Sequence, residues 1–272
     1  MIRIIVDSGS SIKQSEKDMY NVDIIPLKII FNGKEYLDGI DLSNEEFYDF
    51  LMNQNKFPKT SLPCFEDIEK LINGYIEQGD QVLIITISSK ISGTYNALKL
   101  FFENQKDIYV YDSLNAVGAI RILVQEANRY KDQGIDEVIK KLDELLPKIR
   151  IRAIPEKLDY LCKGGRLSKS AMILGNILGI MPVIGFKDGG VSVVCKKRGM
   201  KKALNYLIEE LEDCDTNHEI VASYTYNKNN IDKLVSMMKD EHKKAIQVYD
   251  NLDHAIACHW GPNAFGVIFV SK

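Results

Sequence analysis

The chain is short of the residues that mark redox and metal centres. Its five cysteines, Cys64, Cys162, Cys195, Cys214 and Cys258, are odd in number and scattered, with no Cys-x-x-Cys pair. That argues against a disulfide framework and a structural zinc site. His254, Cys258 and His259 stand close together, but no carboxylate-rich or paired spacing supports a metal there. Basic residues are in slight deficit, 35 Lys and Arg against 38 Asp and Glu for a net charge of −3. A nucleic-acid surface normally shows the opposite balance. Long apolar runs are missing too. The longest, Ala171 to Gly185, is too short to span a bilayer and is broken by glycines, Asn176 and Pro182. The first twenty residues pass from an apolar strand straight into Asp7 and serines, without the layout of a signal peptide. No GxGxxG follows a strand, and the turn Lys163-Gly164-Gly165-Arg166-Leu167-Ser168 lacks the Gly-Lys pair of a phosphate-binding loop. These absences predict a soluble cytoplasmic protein with no cofactor, no metal, no nucleic-acid partner and no stable membrane insertion.

What is present points to a parallel sheet. Val82 to Ile87 is a β-branched run apolar on both faces, the pattern of a strand covered by helices on each side. It breaks into a turn with four hydroxyls, Ser88, Ser89, Ser92 and Thr94, just before a helix begins at Tyr95. Unpaired N–H groups at such a helix start can receive an anion, although Ser92 or Thr94 acting only as a cap is equally ordinary. Two further strands end in small polar residues. Ile2 to Val6 runs into Asp7-Ser8, and Ile108 to Tyr111 into Asp112-Ser113. In open α/β sheets ligands bind beyond the carboxyl ends of the strands, so these three ends predict one shared rim.

Along the chain, Ile24 to Phe31 reads as a strand that meets the hairpin signal Asn32-Gly33. Ser43 and Glu46 form a capping box for a helix reaching about Met52. Residues 53–63 read as a polar loop whose prolines, Pro58 and Pro63, hold Thr60 and Ser61 extended. Helix 64–78, strand 81–87, helix 95–104, strand 108–111 and helix 116–132 then alternate, which implies parallel pairing by right-handed crossovers. Composition restarts after Pro147. The prediction is two α/β domains, residues 1–150 with a mainly parallel sheet and residues 151–272 with a mixed sheet, and a ligand at and below their junction. The helix from Ser170 to Gly179 is apolar nearly all round, as a core helix would be, or as the wall of a cavity made by Ala171, Met172, Leu174, Gly175, Leu178 and Met181 would be. Lys197, Arg198, Lys201 and Lys202 gather at a helix start, where lysines oppose the helix dipole. A basic patch in an acidic chain suits steering of an acidic partner, and no aromatic residues interleave it as a single-strand groove requires.

Taken in order, Asp7-Ser8, Thr60-Ser61-Leu62-Pro63, Ser92-Gly93-Thr94-Tyr95, Asp112-Ser113, Gly164-Gly165-Arg166, Lys197-Arg198 with Lys201-Lys202-Ala203, and His259 with Gly261-Pro262 and Gly266 resemble the DegV family of bacterial fatty-acid-binding proteins across essentially the whole chain. The resemblance implies a long-chain fatty acid buried in the second domain, with its carboxylate held at the junction by Thr60, Ser61, Ser92, Gly93, Arg166 and His259. It also implies a partner, a separate fatty-acid kinase that phosphorylates the carboxylate and for which the basic patch is the expected docking surface. Leu62 and Cys64 stand where the family usually has glutamine and serine, and Trp260 and Asn263 replace smaller residues. Two other readings remain open at this point. One is an enzyme acting on a small anionic or ester substrate with Ser92 as nucleophile and His259 as base, and the other is a lipid-sensing regulator. Ser92 is not in a GxSxG elbow.

Overall fold

Strand Gln81–Thr86 is buried on both faces and divides its side chains by the period of two that a pleated strand imposes. Leu83 and Ile85 enter one apolar cluster, while Val82 and Ile84 enter another on the opposite face. Helices Phe65–Ile76 and Thr94–Phe101 cover the second face, and helix Gly118–Tyr130 covers the first. The computed structural model describes residues 1–53, 57–168 and 179–272.

The strands among the described residues are β1 (Ile2–Asp7), β2 (Val22–Ile25), β3 (Lys28–Phe31), β4 (Lys34–Leu37), β5 (Lys59–Ser61), β6 (Gln81–Thr86), β7 (Ile108–Asp112), β8 (Ile149–Ile154), β9 (Ile180–Lys187), β10 (Gly190–Arg198), β11 (Ile220–Tyr224), β12 (Ile246–Asn251) and β13 (Phe265–Val270). They form three sheets. The first, ordered β2-β1-β6-β7, is parallel throughout, with β6 inside it. The second, β10-β9-β8-β13-β11-β12, is mixed, because only β11 and β12 pair in parallel. The α/β architecture expected from the alternating pattern is therefore present, with a parallel sheet built from residues 2–112 and a mixed one from residues 149–270.

The third sheet, β4-β3-β5, departs from the sequence reading in two places. The run from Ile24 to Phe31 is two strands, not one. Pro26 has no N–H to give to a ladder, so β2 ends before it in the parallel sheet, and β3 begins after it in the antiparallel one. Residues 59–61, expected within a loop, pair with β3 as a short strand, Ile29 opposite Thr60. Elsewhere local chemistry held. Asn32 and Gly33 take φ of 51° and 81°, the doubly left-handed turn that suits a two-residue hairpin. Ser43 caps its helix, with Glu46 accepting from the Ser43 N–H at 2.9 Å.

Helix Gly118–Tyr130 joins the two larger sheets. Ala119, Ile120, Leu123, Val124 and Ala127 are fully buried, and share one cluster with Val6 and Leu83 of the first sheet and with Val221 and Ile268 of the second. A Cβ on Gly118 would lie 2.6 Å from Val221, so only glycine lets the helix start approach the second sheet this closely. Arg121, 1% exposed, is neutralised inside this interface by Glu16 at 2.6 Å and donates to the Ser11 carbonyl.

Candidate functional site

The three polar strand ends meet on one side of the parallel sheet, but most of their polar groups are spent on the loops themselves. The Asp7 carboxylate accepts from the N–H groups of Gly9 at 2.9 Å and Ile87 at 2.8 Å. Ser8 accepts from Leu27 N–H at 3.1 Å. Asp112 accepts from Ser89 and Leu114, each at 3.0 Å, and Ser113 donates to the Asn115 carbonyl at 3.0 Å. Ser88 reaches across to the β9–β10 turn, donating to the Gly189 carbonyl at 2.6 Å. These bonds hold the strand ends in place. Full burial pushes the Asp7 carboxyl up to about 7 and the Asp38 carboxyl up to about 6, although both accept backbone N–H bonds.

The rim residues that remain open face a cavity of about 40 Å³ between the parallel sheet, the mixed sheet and helix His254–Trp260. Ser92, Thr60, Arg166 and His259 supply its polar wall. Ile87, Ile91, Phe186 and Ile256 are among its apolar neighbours. Residues from positions 60, 92, 166 and 259 thus converge on one point.

Thr60 sits in β5, and its Oγ1 lies 3.0 Å from His259 Nε2. His259 Nδ1 is buried with no partner among the described residues. Placing the ring proton on Nε2 leaves only a lone pair unmet at Nδ1, and Thr60 Oγ1 then accepts from the ring and keeps its own proton to donate. Burial and the neighbouring Arg166 charge push the imidazole down to about 3, so it is neutral at physiological pH. Gly164 makes this position available, because a Cβ there would stand 2.4 Å from Nδ1. Helix His254–Trp260 is fixed at its other end, where Asp38 accepts from Ala255 N–H at 3.1 Å, His254 stacks on Phe47 at 4.4 Å, and its Nε2 meets Asn44 Oδ1 at 2.8 Å.

Arg166 is half-buried and donates from Nε to the Ile91 carbonyl at 3.0 Å and from Nη1 to the Gly164 carbonyl at 2.5 Å. Those bonds orient the guanidinium without neutralising it, since no carboxylate pairs with it among the described residues. Burial lowers its pKa, the direction that expresses a cation in want of an anion. Ser92 Oγ stands 2.9 Å from Thr94 Oγ1 and accepts from Thr94 N–H at 3.3 Å. Ser92 is therefore bonded to Thr94, and His259 to Thr60. The nucleophile–base couple of the enzyme reading is not formed, and an imidazole with a pKa of about 3 is a weak base.

The remaining expected residues are placed differently. Ser61 and Gly93 are exposed and do not line the cavity. Ala171, Met172, Leu174, Gly175 and Leu178 lie outside the described residues. Met181 lies in β9 and packs on the cluster around Leu204 and Leu207, away from this cavity. Arg198, Lys201 and Lys202 are exposed, while Lys197 is half-buried with its ammonium 4.4 Å from the Tyr206 ring. The sequence reading passed over Asp38 and Leu27, which no short motif marks. No helix among the described residues is long and apolar enough to cross a membrane.

Comparison with known proteins finds relatives over the whole chain. The model of a family described as uncharacterised, DegV family, matches residues 1–272. A Thermotoga maritima protein named fatty acid-binding protein is 33% identical over 97% of this chain and 96% of its own length. The crystal structure of a DegV lipid binding protein from Thermotoga maritima superimposes with a TM-score of 0.81 at 32% identity, covering 100% of this chain and 99% of that one. A stearic acid-binding protein from Eubacterium ventriosum gives 0.86 at 28% identity with the same coverage. With its whole length matched by the family model, the chain belongs to the DegV family.

Proposed function

We propose that this protein binds a long-chain fatty acid, holds its carboxylate at Arg166, Thr60, Ser92 and His259, and presents it to a separate fatty-acid kinase. The observation that carries the reading is the half-buried guanidinium of Arg166, unpaired by any described carboxylate, beside two hydroxyls in an otherwise apolar cavity. A desolvated carboxylate is costly unless charge and hydrogen bonds meet it, and this wall offers both. Affinity then comes from the tail. Burying about fourteen methylenes at roughly 0.8 kcal/mol each gives an upper figure on the order of 10 kcal/mol before ordering costs. The fatty-acid-binding protein of Thermotoga maritima and the stearic acid-binding protein of Eubacterium ventriosum support the ligand class. The division of the chain near residue 150 and a tail route along residues 171–178 belong to the same proposal.

Mass spectrometry of an organic extract of the purified protein tests it. One fatty acid per chain is the expected result. A lipid-free protein that also fails to take up added palmitate or oleate would overturn the reading. The kinase step rests on the sequence resemblance and on the exposed Arg198, Lys201 and Lys202, which have no acidic partner among the described residues. It is tested by acyl-phosphate formation, which should require this protein, ATP and the kinase together. A protein that holds lipid but never supports phosphorylation would be a sensor instead.

A further inference from the structure

The turn that follows β6 carries two residues of the head-group wall, yet its first hydroxyl lies outside that wall. Ser88 is fully buried and does not line the cavity, whereas Ile91 and Ser92 do. Every polar atom of Ser88 is engaged. Its N–H donates to the Asn115 carbonyl at 2.8 Å, and its carbonyl accepts from the N–H groups of Ile91 and Ser92, each at 3.1 Å. Its hydroxyl accepts from Lys90 N–H at 3.2 Å and donates to the Gly189 carbonyl at 2.6 Å.

Gly189 stands at the tip of the hairpin that joins β9 to β10. Asp188 and Gly189 take φ of 50° and 79°, a two-residue left-handed turn. The tip is pressed against the rim of the parallel sheet, because a Cβ on Gly189 would stand 2.9 Å from Ser88 Oγ, from Lys90 Cγ and from Leu114 Cδ2. Just behind the tip, Phe186 and Val191 are paired across the hairpin, and both line the head-group cavity. A second bond crosses the same seam in the opposite sense, from Arg166 Nε to the Ile91 carbonyl at 3.0 Å. Segment 88–91 is thus tied at both ends to the chain beyond β8. Ser88 gives a proton across the seam, and Ile91 receives one.

We propose that Ser88 is a positioning residue for the fatty-acid carboxylate. One hydroxyl holds the hairpin tip, with Phe186 and Val191 behind it, and steadies the turn whose Ile91 carbonyl aims the Arg166 guanidinium. Removing it leaves a buried carbonyl on Gly189 and an N–H on Lys90 without their partner, and the turn loses its support one residue before Ile91. Ser88 therefore acts on the carboxylate through Arg166, without lining the cavity. This inference rests on the fatty-acid reading of the head-group site.

A double-mutant cycle with palmitate tests it. Ser88→Ala should weaken palmitate about tenfold in the wild-type background and less than twofold in the Arg166→Met background, where no guanidinium remains to be aimed. Ser88→Ala alone should weaken hexadecanol less than twofold, because an alcohol head group offers Arg166 no charge. A serine that only held the fold together would lower all three affinities alike, and that result overturns the proposal. Unchanged palmitate affinity in a folded Ser88→Ala protein overturns it as well. If Ser88→Ala does not fold, Gly189→Ala gives the same test from the hairpin side. Its Cβ pushes the tip off Ser88, and the resulting loss of palmitate affinity must likewise shrink below twofold with Arg166→Met. In each of these failures wild-type binding of palmitate leaves the head-group reading standing, whereas wild type that binds neither palmitate nor oleate removes both.

Discussion

Replacing Gly164 by alanine separates a packing argument from a propensity argument by sign. Gly164 has an ordinary helical φ of −69°, so alanine meets no backbone strain there. By propensity alone, and by the reduced freedom of the unfolded chain, the change should stabilise by about 0.5–1 kcal/mol. The structure predicts the reverse. The new Cβ would stand 2.4 Å from His259 Nδ1 and 3.0 Å from the Tyr160 carbonyl, whereas unstrained contacts begin near 3.5 Å. The ring must withdraw by about 1 Å, which strains the 3.0 Å hydrogen bond between Thr60 and His259. Overpacking of this kind costs about 1–3 kcal/mol. After the propensity gain, the net loss is roughly 1–2 kcal/mol, a fall in Tm of about 3–6 °C for a chain of this size. Losing one neutral hydrogen bond at the head group adds about 1 kcal/mol to the free energy of binding, roughly fivefold in Kd. Thermal melts with and without palmitate, together with fatty-acid titrations, measure both quantities. A Gly164→Ala protein that melts at or above wild type with unchanged Kd would refute the placement of His259.

Further expectations follow from the same geometry. Ser92→Ala and Thr60→Ala should each weaken fatty-acid retention by about 1 kcal/mol, as single neutral hydrogen bonds do, whereas Arg166→Ala should reduce the rate of phosphoryl transfer more than binding, because charge grows on the head group during transfer; equal transfer rates for wild type and Arg166→Ala would remove Arg166 from the site. Lys201→Glu with Lys202→Glu should slow acyl-phosphate formation and leave lipid binding intact, and the wild-type rate should fall with salt, since exposed charges are screened beyond about 10 Å at 0.1 M; a double variant at full rate in low salt would end the docking role. Asp38, raised from an unfolded value of 3.8 to about 6, contributes stability that is present below pH 4 and is lost as pH rises through 6. Asp38→Asn should therefore gain on wild type between pH 4.5 and 7, by up to about 3 kcal/mol, and a pH-independent difference in Tm would contradict the burial assigned to it. His259, lowered to about 3, should show no imidazole titration between pH 8 and 5 in its NMR signals. Because helix Gly118–Tyr130 packs on both large sheets, the two proposed domains should melt in one calorimetric transition; two resolved transitions would show that the shared core does not couple them.

The α/β class, the central position of strand Gln81–Thr86, the Asn32-Gly33 hairpin and the Ser43 capping box were all legible in the sequence. Each is decided by short-range chemistry, by a period of two, a left-handed turn or a side chain reaching its own backbone. The convergence of Thr60, Ser92, Arg166 and His259 was legible only through motif resemblance. Nothing local in four segments up to 199 residues apart says that they share a wall. Tertiary structure alone decided which rim residues face the cavity and which hold loops. Asp7 and Asp112 look like site residues by type, but their carboxylates are used up by nearby N–H groups. It also decided that Pro26 sends one apolar run into two sheets and that glycine at 164 makes room for an imidazole. The sequence by itself determined which elements form, since these depend on neighbours a few residues away. How those elements approach one another depends on side-chain volumes meeting across long stretches of chain, which only the packed structure brings together.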